Sequence, residues 1–258
     1  MNQHFDIERL ANLLRTDLIN RYRLVGVTSA ALAALMLVIA MFNAPGTSGS
    51  MGIYAFLYLG MLTIWGPIAA SHSFRELHDK EMNQAYLLLP ASALEKTISR
   101  LLLIVVIFPL YVIVFVTVLS WLIMGLQSLL GGNSWGAFLP MRFLDPRAIG
   151  VFVVNQSLFF LGAAWFRKMH FVKTVLSLTG LVIAMSVFAG IVFRLMFPDL
   201  IDGNMNVNVD PQVFFQDHEG LTAFLLFLFR LCYFVVLPVF CWSVAWLRIR
   251  ETQVSHGV

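Results

Sequence analysis

The sequence predicts an all-α integral membrane protein with six transmembrane helices. Hydrophobic residues occupy 59% of its 258 positions, charged residues only 12%, and the mean hydropathy is +0.82, whereas a soluble domain carries about 25% charged residues. So much apolar surface requires lipid as its solvent. A helix needs ~20 mainly apolar residues to cross the ~30 Å hydrocarbon layer, where backbone groups must pair within their own segment. Six stretches meet this requirement, roughly 24–43, 52–72, 99–125, 147–166, 171–195 and 221–247.

Three of these stretches contain a proline, at Pro67, Pro109 and Pro238. Proline removes a backbone donor and kinks a helix, but membrane helices tolerate it. We therefore expect the second, third and sixth stretches to continue through their prolines.

Lysine and arginine are distributed unequally between the two sets of connections. Thirteen lie in the N-terminal segment, the second and fourth connections and the C-terminal tail, whereas the opposite set holds only Arg142 and Arg147. Basic residues collect on the cytoplasmic side of membrane proteins. This predicts that both termini are cytoplasmic, and it explains the net charge of +3 without a nucleic-acid partner.

The segment before the first stretch, residues 5–22, has an amphipathic pattern. Leu10, Leu13, Leu14 and Leu18 recur at helical spacing, and polar residues occupy the other side. The pattern indicates a helix lying at the cytoplasmic interface of the bilayer. The alternative is a lead-in helix that packs on the protein's own loops.

The densest charge lies in residues 73–100, between the second and third stretches. Pro90 ends one helical piece because it pushes Leu89 out of the helical region. Ser92 and Glu95 form a capping box that starts the next helix near Ala93. A short cytoplasmic helix over 73–89 is therefore predicted. Most charged segments are solvated connectors, but this one is capped and compact, which favours a docking element.

The chain resembles the permease subunits of type-2 ATP-binding-cassette (ABC) transporters, in its six spans, its N-terminal helix and the motif Leu88-Leu89-Pro90-Ala91-Ser92 followed by Glu95-Lys96 and Ser99-Arg100. The resemblance implies an export-type permease of a bacterial cytoplasmic (inner) membrane, with an elbow helix at the N-terminus. It also implies that the helix over 73–89 is a coupling helix that fits a groove on a separate ATPase subunit. The residues expected to contact that ATPase are Glu76, Asp79, Lys80, Glu81, Gln84 and Tyr86.

The same resemblance implies a dimer, either of two identical chains or of this chain with a sister permease, and two ATPase subunits. The sequence has no Gly-x-x-x-x-Gly-Lys-Ser/Thr phosphate loop, so we expect ATP and Mg²⁺ to bind in the partner and no cofactor, metal or catalytic site in this chain. The alternative is a non-transporting membrane anchor or assembly subunit that recruits an ATPase or regulator. A membrane enzyme or ion-coupled carrier is disfavoured, because the apolar stretches lack internal carboxylates and paired histidines.

Arg230 lies within the sixth apolar stretch. Trp242 and Trp246 indicate the inner interface of that stretch, which puts Arg230 some 9 Å in from the outer edge of the bilayer at ~1.5 Å per residue. An arginine inside a membrane is a functional hypothesis by default. It could meet an anionic headgroup or a cargo group in a substrate path, with Asn155 and Gln156 of the fourth stretch as polar neighbours. The alternative is that its guanidinium snorkels to the outer surface, towards Asp217 or Glu219.

Overall fold

The computed structural model describes residues 6–42, 50–74, 92–129, 137–139, 145–166, 169–196 and 219–255, and these ranges contain helices and no strand. The α-helices are α1 (Ile7–Phe42), α2 (Ser50–Gly60), α3 (Gly66–Ser71), α4 (Ala93–Leu102), α5 (Phe108–Leu129), α6 (Pro146–Trp165), α7 (His170–Met196), α8 (Glu219–Leu231) and α9 (Leu237–Ser255). Single π-helical turns, π1 (Met61–Trp65), π2 (Leu103–Ile107) and π3 (Cys232–Val236), join α2 to α3, α4 to α5 and α8 to α9. For reference we label the helical segments in chain order as candidate spans one to six: α1, α2–α3, α4–α5, α6, α7 and α8–α9.

Spans two to six are each long and apolar enough to cross a membrane. The first span reaches that standard when the two halves of α1, Ile7–Asn20 and Val25–Ala40, are taken together across a bend of 51°. The chain is therefore an all-helical, multi-pass membrane protein. The predicted start of the third span near Ala93 is confirmed by the first residue of α4.

The bend in α1 separates the same two segments that the sequence pattern separates. Just after it, the hydroxyls of Thr28 and Ser29 both donate hydrogen bonds to the carbonyl of Val25. Such hydroxyl bonds compete with the helical backbone bonds and often bend a helix. The Ser29 hydroxyl also hydrogen-bonds the phenol of Tyr111, which ties the second half of α1 to α5.

Each π turn ends two residues before one of the three predicted intramembrane prolines. In span two, the N–H of Gly66 donates to the carbonyl of Met61, five residues back, and Pro67 follows. Spans three and six repeat this arrangement before Pro109 and Pro238. The proline ring crowds the carbonyl four residues back and offers it no donor, and the preceding turn is wider by one residue. The helices continue through the prolines, as predicted.

The helix α6 is the centre of the packing, since α3, α7, α9, π2 and π3 all contact it. Small residues allow these close approaches. A Cβ at Gly150 would collide with the ring of Phe234 in π3, and one at Gly162 would overlap the side chain of Thr174 in α7. Glycine at these two positions lets spans six and five lie against span four.

Among the described residues, α7 and α8 each present a long exposed surface. Every residue of α7 from Thr179 to Ile191 is exposed, and so is every residue from Ala223 to Leu231 in α8. These residues are mainly apolar, so lipid or another subunit must cover them.

Replacing Gly162 by alanine should lower the free energy of unfolding by about 1–3 kcal/mol, because the new methyl group overlaps Thr174 in a packed interface. Thermal unfolding in lipid nanodiscs measures the loss. Gly180→Ala is the matched control, since nothing lies within 4 Å of its added Cβ. Equal stability of the two variants would contradict the close packing of spans four and five.

Candidate functional site

The residues predicted to contact an ATPase lie outside the described part of the chain. Glu76, Asp79, Lys80, Glu81, Gln84 and Tyr86 all fall in 75–91, between the described ranges 50–74 and 92–129. Their helix and their contacts therefore stay predictions. The structure does describe both ends of this segment.

The first end is fixed by an aromatic contact. Phe74 is 1% exposed, and its ring meets that of Phe160 edge-on with the centroids 4.8 Å apart. Ala70 and Ala163 belong to the same buried cluster. Phe74 is therefore anchored on α6 by close packing at the end of span two.

The second end is fixed by the predicted capping box. The hydroxyl of Ser92 accepts a hydrogen bond of 3.2 Å from the N–H of Glu95, and Oε2 of Glu95 accepts one of 2.8 Å from the N–H of Ser92. The other oxygen, Oε1, accepts a bond of 2.8 Å from the N–H of Asp6, just ahead of α1. One fully buried carboxylate therefore holds the starts of two helices together.

A buried ion pair makes a second link between α1 and α4. Arg100 Nη2 lies 3.1 Å from Asp17 Oδ1, and the two side chains are only 6% and 13% exposed. The hydroxyl of Ser99 is 3.5 Å from the other oxygen of Asp17. We call Glu95, Ser99, Arg100 and Asp17, with the amide of Asp6, the junction between α1 and span three.

The junction decides which face of α1 meets the protein. Leu10, Leu13 and Leu14 share the face of Asp17 and are half-buried, whereas Ile7 is 73% and Tyr22 59% exposed. These three leucines therefore face the rest of the protein, whereas Leu18, the fourth leucine of the predicted apolar face, is 44% exposed beside Tyr22. The contact of this exposed side of α1 with the bilayer stays a prediction.

Sequence reasoning missed the junction, although one signal was present. Asp17 follows Leu10, Leu13 and Leu14 at helical spacing, so it places a carboxylate on the apolar face of an amphipathic helix. A charge in that position usually has a buried partner. The identity of the partner, Arg100, is 83 positions away and has no sequence signature.

The three residues predicted for a substrate path are not brought together within the described chain. Gly150 lies against Phe234, and Arg248 stacks over the ring of Trp165 with its guanidinium carbon 5.4 Å from the centroid. These two contacts show that spans four and six run parallel.

The same two contacts set the relative heights of Arg230, Asn155 and Gln156 along the axis of the helix bundle. Arg230, which is exposed, then lies roughly 13 Å farther along the bundle than Asn155 and Gln156, at ~1.5 Å per residue. Asn155 is half-buried, and Gln156 is only 1% exposed. Within this chain, Arg230 is therefore not a neighbour of Asn155 and Gln156.

The described residues contain no cluster of three or more His, Cys, Asp or Glu side chains that could hold a metal ion. No family model, curated protein or solved structure matches the chain. The geometry of the junction is therefore the main basis for inferring the role of this protein.

Removing one partner of the Asp17–Arg100 pair should be costly, because the two side chains are only 13% and 6% exposed and the remaining charge loses an opposite charge 3.1 Å away. We expect Asp17→Ala to lower the free energy of unfolding by about 3–5 kcal/mol. The double variant Asp17→Leu with Arg100→Leu should lose less than Asp17→Ala, since both buried charges are removed together. Thermal unfolding in nanodiscs gives the comparison.

Arg9 provides the control for this prediction, because its pair with Asp6 is 3.5 Å long and both side chains are more than 40% exposed. Arg9→Ala should cost less than about 1 kcal/mol. If Asp17→Ala unfolds at the temperature of the unaltered chain, the junction does not hold α1 in place.

Proposed function

We propose that this chain is the membrane-spanning permease subunit of a type-2 ABC transporter, working as an exporter with a separate ATPase subunit. The observation that supports this most is the junction. A bent N-terminal helix is tied by Glu95 and Asp17 to the start of span three, immediately after the charged segment 75–91. This is the arrangement expected of an elbow helix and a coupling helix that act on the same span.

In this proposal the segment over 73–89 is a lever that projects into the cytoplasm. Nucleotide binding and hydrolysis take place in the ATPase, which pushes and releases the lever. One end of the lever moves Phe74 and with it span four, and the other end moves the capping box and with it span three and α1. Because both ends are closely packed, the motion is carried as a rigid-body displacement of helices.

The charged side of the lever would supply the contact with the ATPase. Glu76, Asp79, Lys80 and Glu81 carry both signs of charge within six residues, which suits recognition of one complementary groove. Gln84 and Tyr86 extend the same surface. The elements of this chain then provide the path and the lever, and the partner provides ATP, Mg²⁺ and the chemistry.

The uncovered faces of α7 and α8 favour a second permease, either another copy or a sister chain. Arg230 stands among exposed leucines and phenylalanines of α8, where a charge is costly unless it meets an anion or water. We place it on the substrate path, where an anionic group of the cargo would pass it. We place the protein in a bacterial inner membrane because of its resemblance to export-type permeases. Its basic residues favour cytoplasmic positions for both termini.

The second candidate is a membrane anchor that recruits an ATPase without moving a cargo. The junction would serve either role, since it fixes a cytoplasmic segment rigidly to a membrane helix. Vesicles containing the purified complex separate the two, because only a transporter accumulates cargo in the lumen when ATP is supplied.

Reversing charge on the lever should release the ATPase. We expect the triple variant Asp79→Lys, Lys80→Glu and Glu81→Lys to lose at least nine-tenths of an ABC ATPase that is encoded beside it and co-expressed, because each charge would then face its own sign. Affinity purification measures the retained ATPase, and an unchanged unfolding temperature shows that the bundle is intact.

The control reverses two exposed charges on α1, Glu8→Lys and Arg15→Glu, and should retain the ATPase. Normal co-purification of the triple variant would reject the docking role. Loss of the ATPase from both variants would instead place the contact on a broader surface.

For Arg230, we expect the change to leucine to reduce ATP-dependent transport at least tenfold, while Arg230→Lys retains part of it because the positive charge is kept. Transport is read by mass spectrometry of the lumen of vesicles loaded with cell extract. Arg194→Leu, an exposed arginine near the end of α7, is the control. Full transport by Arg230→Leu, with equal or better stability, would mean that Arg230 only snorkels.

A further inference from the structure

The buried apolar side chains of the described residues form two clusters at opposite ends of the bundle. The outer cluster lies away from residues 75–91 and joins spans one, two and three; its members include Met36, Tyr58, Leu62, Val112, Val116 and Phe138. The inner cluster lies at the end that carries residues 75–91 and joins spans two, three, four and six; its members include Ala70, Phe74, Ile104, Phe160, Ala163 and Ile249. Spans two and three therefore contribute to both clusters.

The outer cluster is held together by polar and aromatic contacts as well as by apolar ones. The N–H of Phe138, from the connection between spans three and four, donates a hydrogen bond of 3.1 Å to the hydroxyl of Ser120 in span three. The ring of Phe138 lies 5.6 Å from that of Tyr58 in span two, centroid to centroid. Nε2 of Gln127 in span three donates a bond of 3.3 Å to the carbonyl of Ala40 in span one. The outer ends of spans one to three thus form one body.

Spans two and three pass from one cluster to the other at a π turn and a proline. In span two, Leu62 belongs to the outer cluster and Ala70 to the inner one, and the rest of π1 and Pro67 lie between them. In span three, Ile104 and Val112 lie on either side of Pro109 in the same way. A helix bends most easily where a proline or a π turn interrupts its regular backbone bonds.

Span one also bends between the two ends of the bundle. Asp17, before the bend of 51°, pairs with Arg100 of α4 at the inner end. Ser29, after the bend, hydrogen-bonds Tyr111, which packs against the outer cluster. All three helices that run from one body to the other are therefore interrupted at the boundary.

The contact of span two with span four at this boundary is tight but has no hydrogen bond. A Cβ at Gly66 would overlap Nε2 of Gln156, which is 1% exposed, and neither polar atom of this amide has a partner among the described residues. A buried amide without a partner is costly. Any displacement of span two along α6 that brings a donor or an acceptor to Gln156 recovers part of that cost.

We propose that the described helices form two packed bodies hinged at π1, at π2 and at the bend of α1, and that these bodies move against each other. The inner body consists of α3, α4, α6, the start of α7 and α9, and the outer body consists of spans one to three beyond their breaks, together with Phe138. Close-packed clusters resist deformation, so the displacement is concentrated in the interrupted turns. The inference rests on the two clusters and the three breaks, and it holds for a transporter or an anchor.

Distances between spin labels test the hinge, because labels within one body keep a fixed separation. In lipid nanodiscs, pulsed electron paramagnetic resonance is applied to chains that carry Cys232→Ala and Cys241→Ala and are diluted with unlabelled chain. Three pairs of exposed positions are labelled: Phe56→Cys with Trp121→Cys in the outer body, Leu94→Cys with Val172→Cys in the inner body, and Phe56→Cys with Val172→Cys across the boundary. We expect the distance distribution across the boundary to be at least twice as wide as either of the others.

Replacing the prolines tests whether the interrupted turns are the hinge. Pro67→Ala with Pro109→Ala returns an N–H to both turns and should reduce the width across the boundary by at least half. Pro238→Ala is the matched control and should leave it unchanged, since π3 before it contains no buried residue. Gln156→Leu removes the unpaired amide, favours the described arrangement and should narrow the distribution by at least a third.

The comparison in the chain with its native prolines is decisive even where a proline variant fails to fold. Equal widths for the three labelled pairs would overturn the proposal. So would a wide distribution across the boundary that the two-proline variant leaves unchanged, or that Pro238→Ala narrows to the same extent.

Discussion

The buried pairing of Asp17 with Arg100, together with the carboxylate of Glu95, is the constraint on which the arrangement of the predicted cytoplasmic end depends. Removing an ion from water costs several kcal/mol, and the cost is recovered only when charge and hydrogen-bond geometry are both satisfied. A shift of α1 by one helical turn would move Asp17 away from Arg100 and the amide of Asp6 away from Glu95, and so break both links. The first helix is therefore held in one register on span three, beside the charged segment that precedes Ser92.

The π turns show how the chain stays helical on both sides of each intramembrane proline. Each proline withdraws a donor from a turn of spans two, three or six, and the turn widens in response. In span two this happens beside Gln156, whose amide packs against Gly66. Span two thus has a close contact with α6 at Gly66 and an aromatic anchor, Phe74, at its end. The segment between these two contacts can be moved as a unit with α6, which is what the proposed lever requires.

The described helices contribute unequal amounts of buried surface. Spans one to four and the second half of span six enclose the buried clusters, whereas most of α7 and all described side chains of α8 beyond Glu219 stay exposed. A single chain therefore has a packed half and an open half. The open half contains Arg230, and this explains why a partner permease is part of the proposed function rather than an addition to it.

The sequence by itself determined the helical class, the apolar stretches, the continuation of helices through Pro67, Pro109 and Pro238, and the capping box at Ser92. Each of these is a local matter of hydrophobic length, backbone donors or a three-residue spacing. It could not show that Asp17 pairs with Arg100 or that the amide of Gln156 packs against Gly66. Those pairings join residues more than 80 positions apart, and only the packing of whole helices decides them. Tertiary structure likewise separated Arg230 from Asn155 and Gln156, because the register between spans four and six is fixed by contacts such as Gly150 with Phe234 that no local pattern encodes.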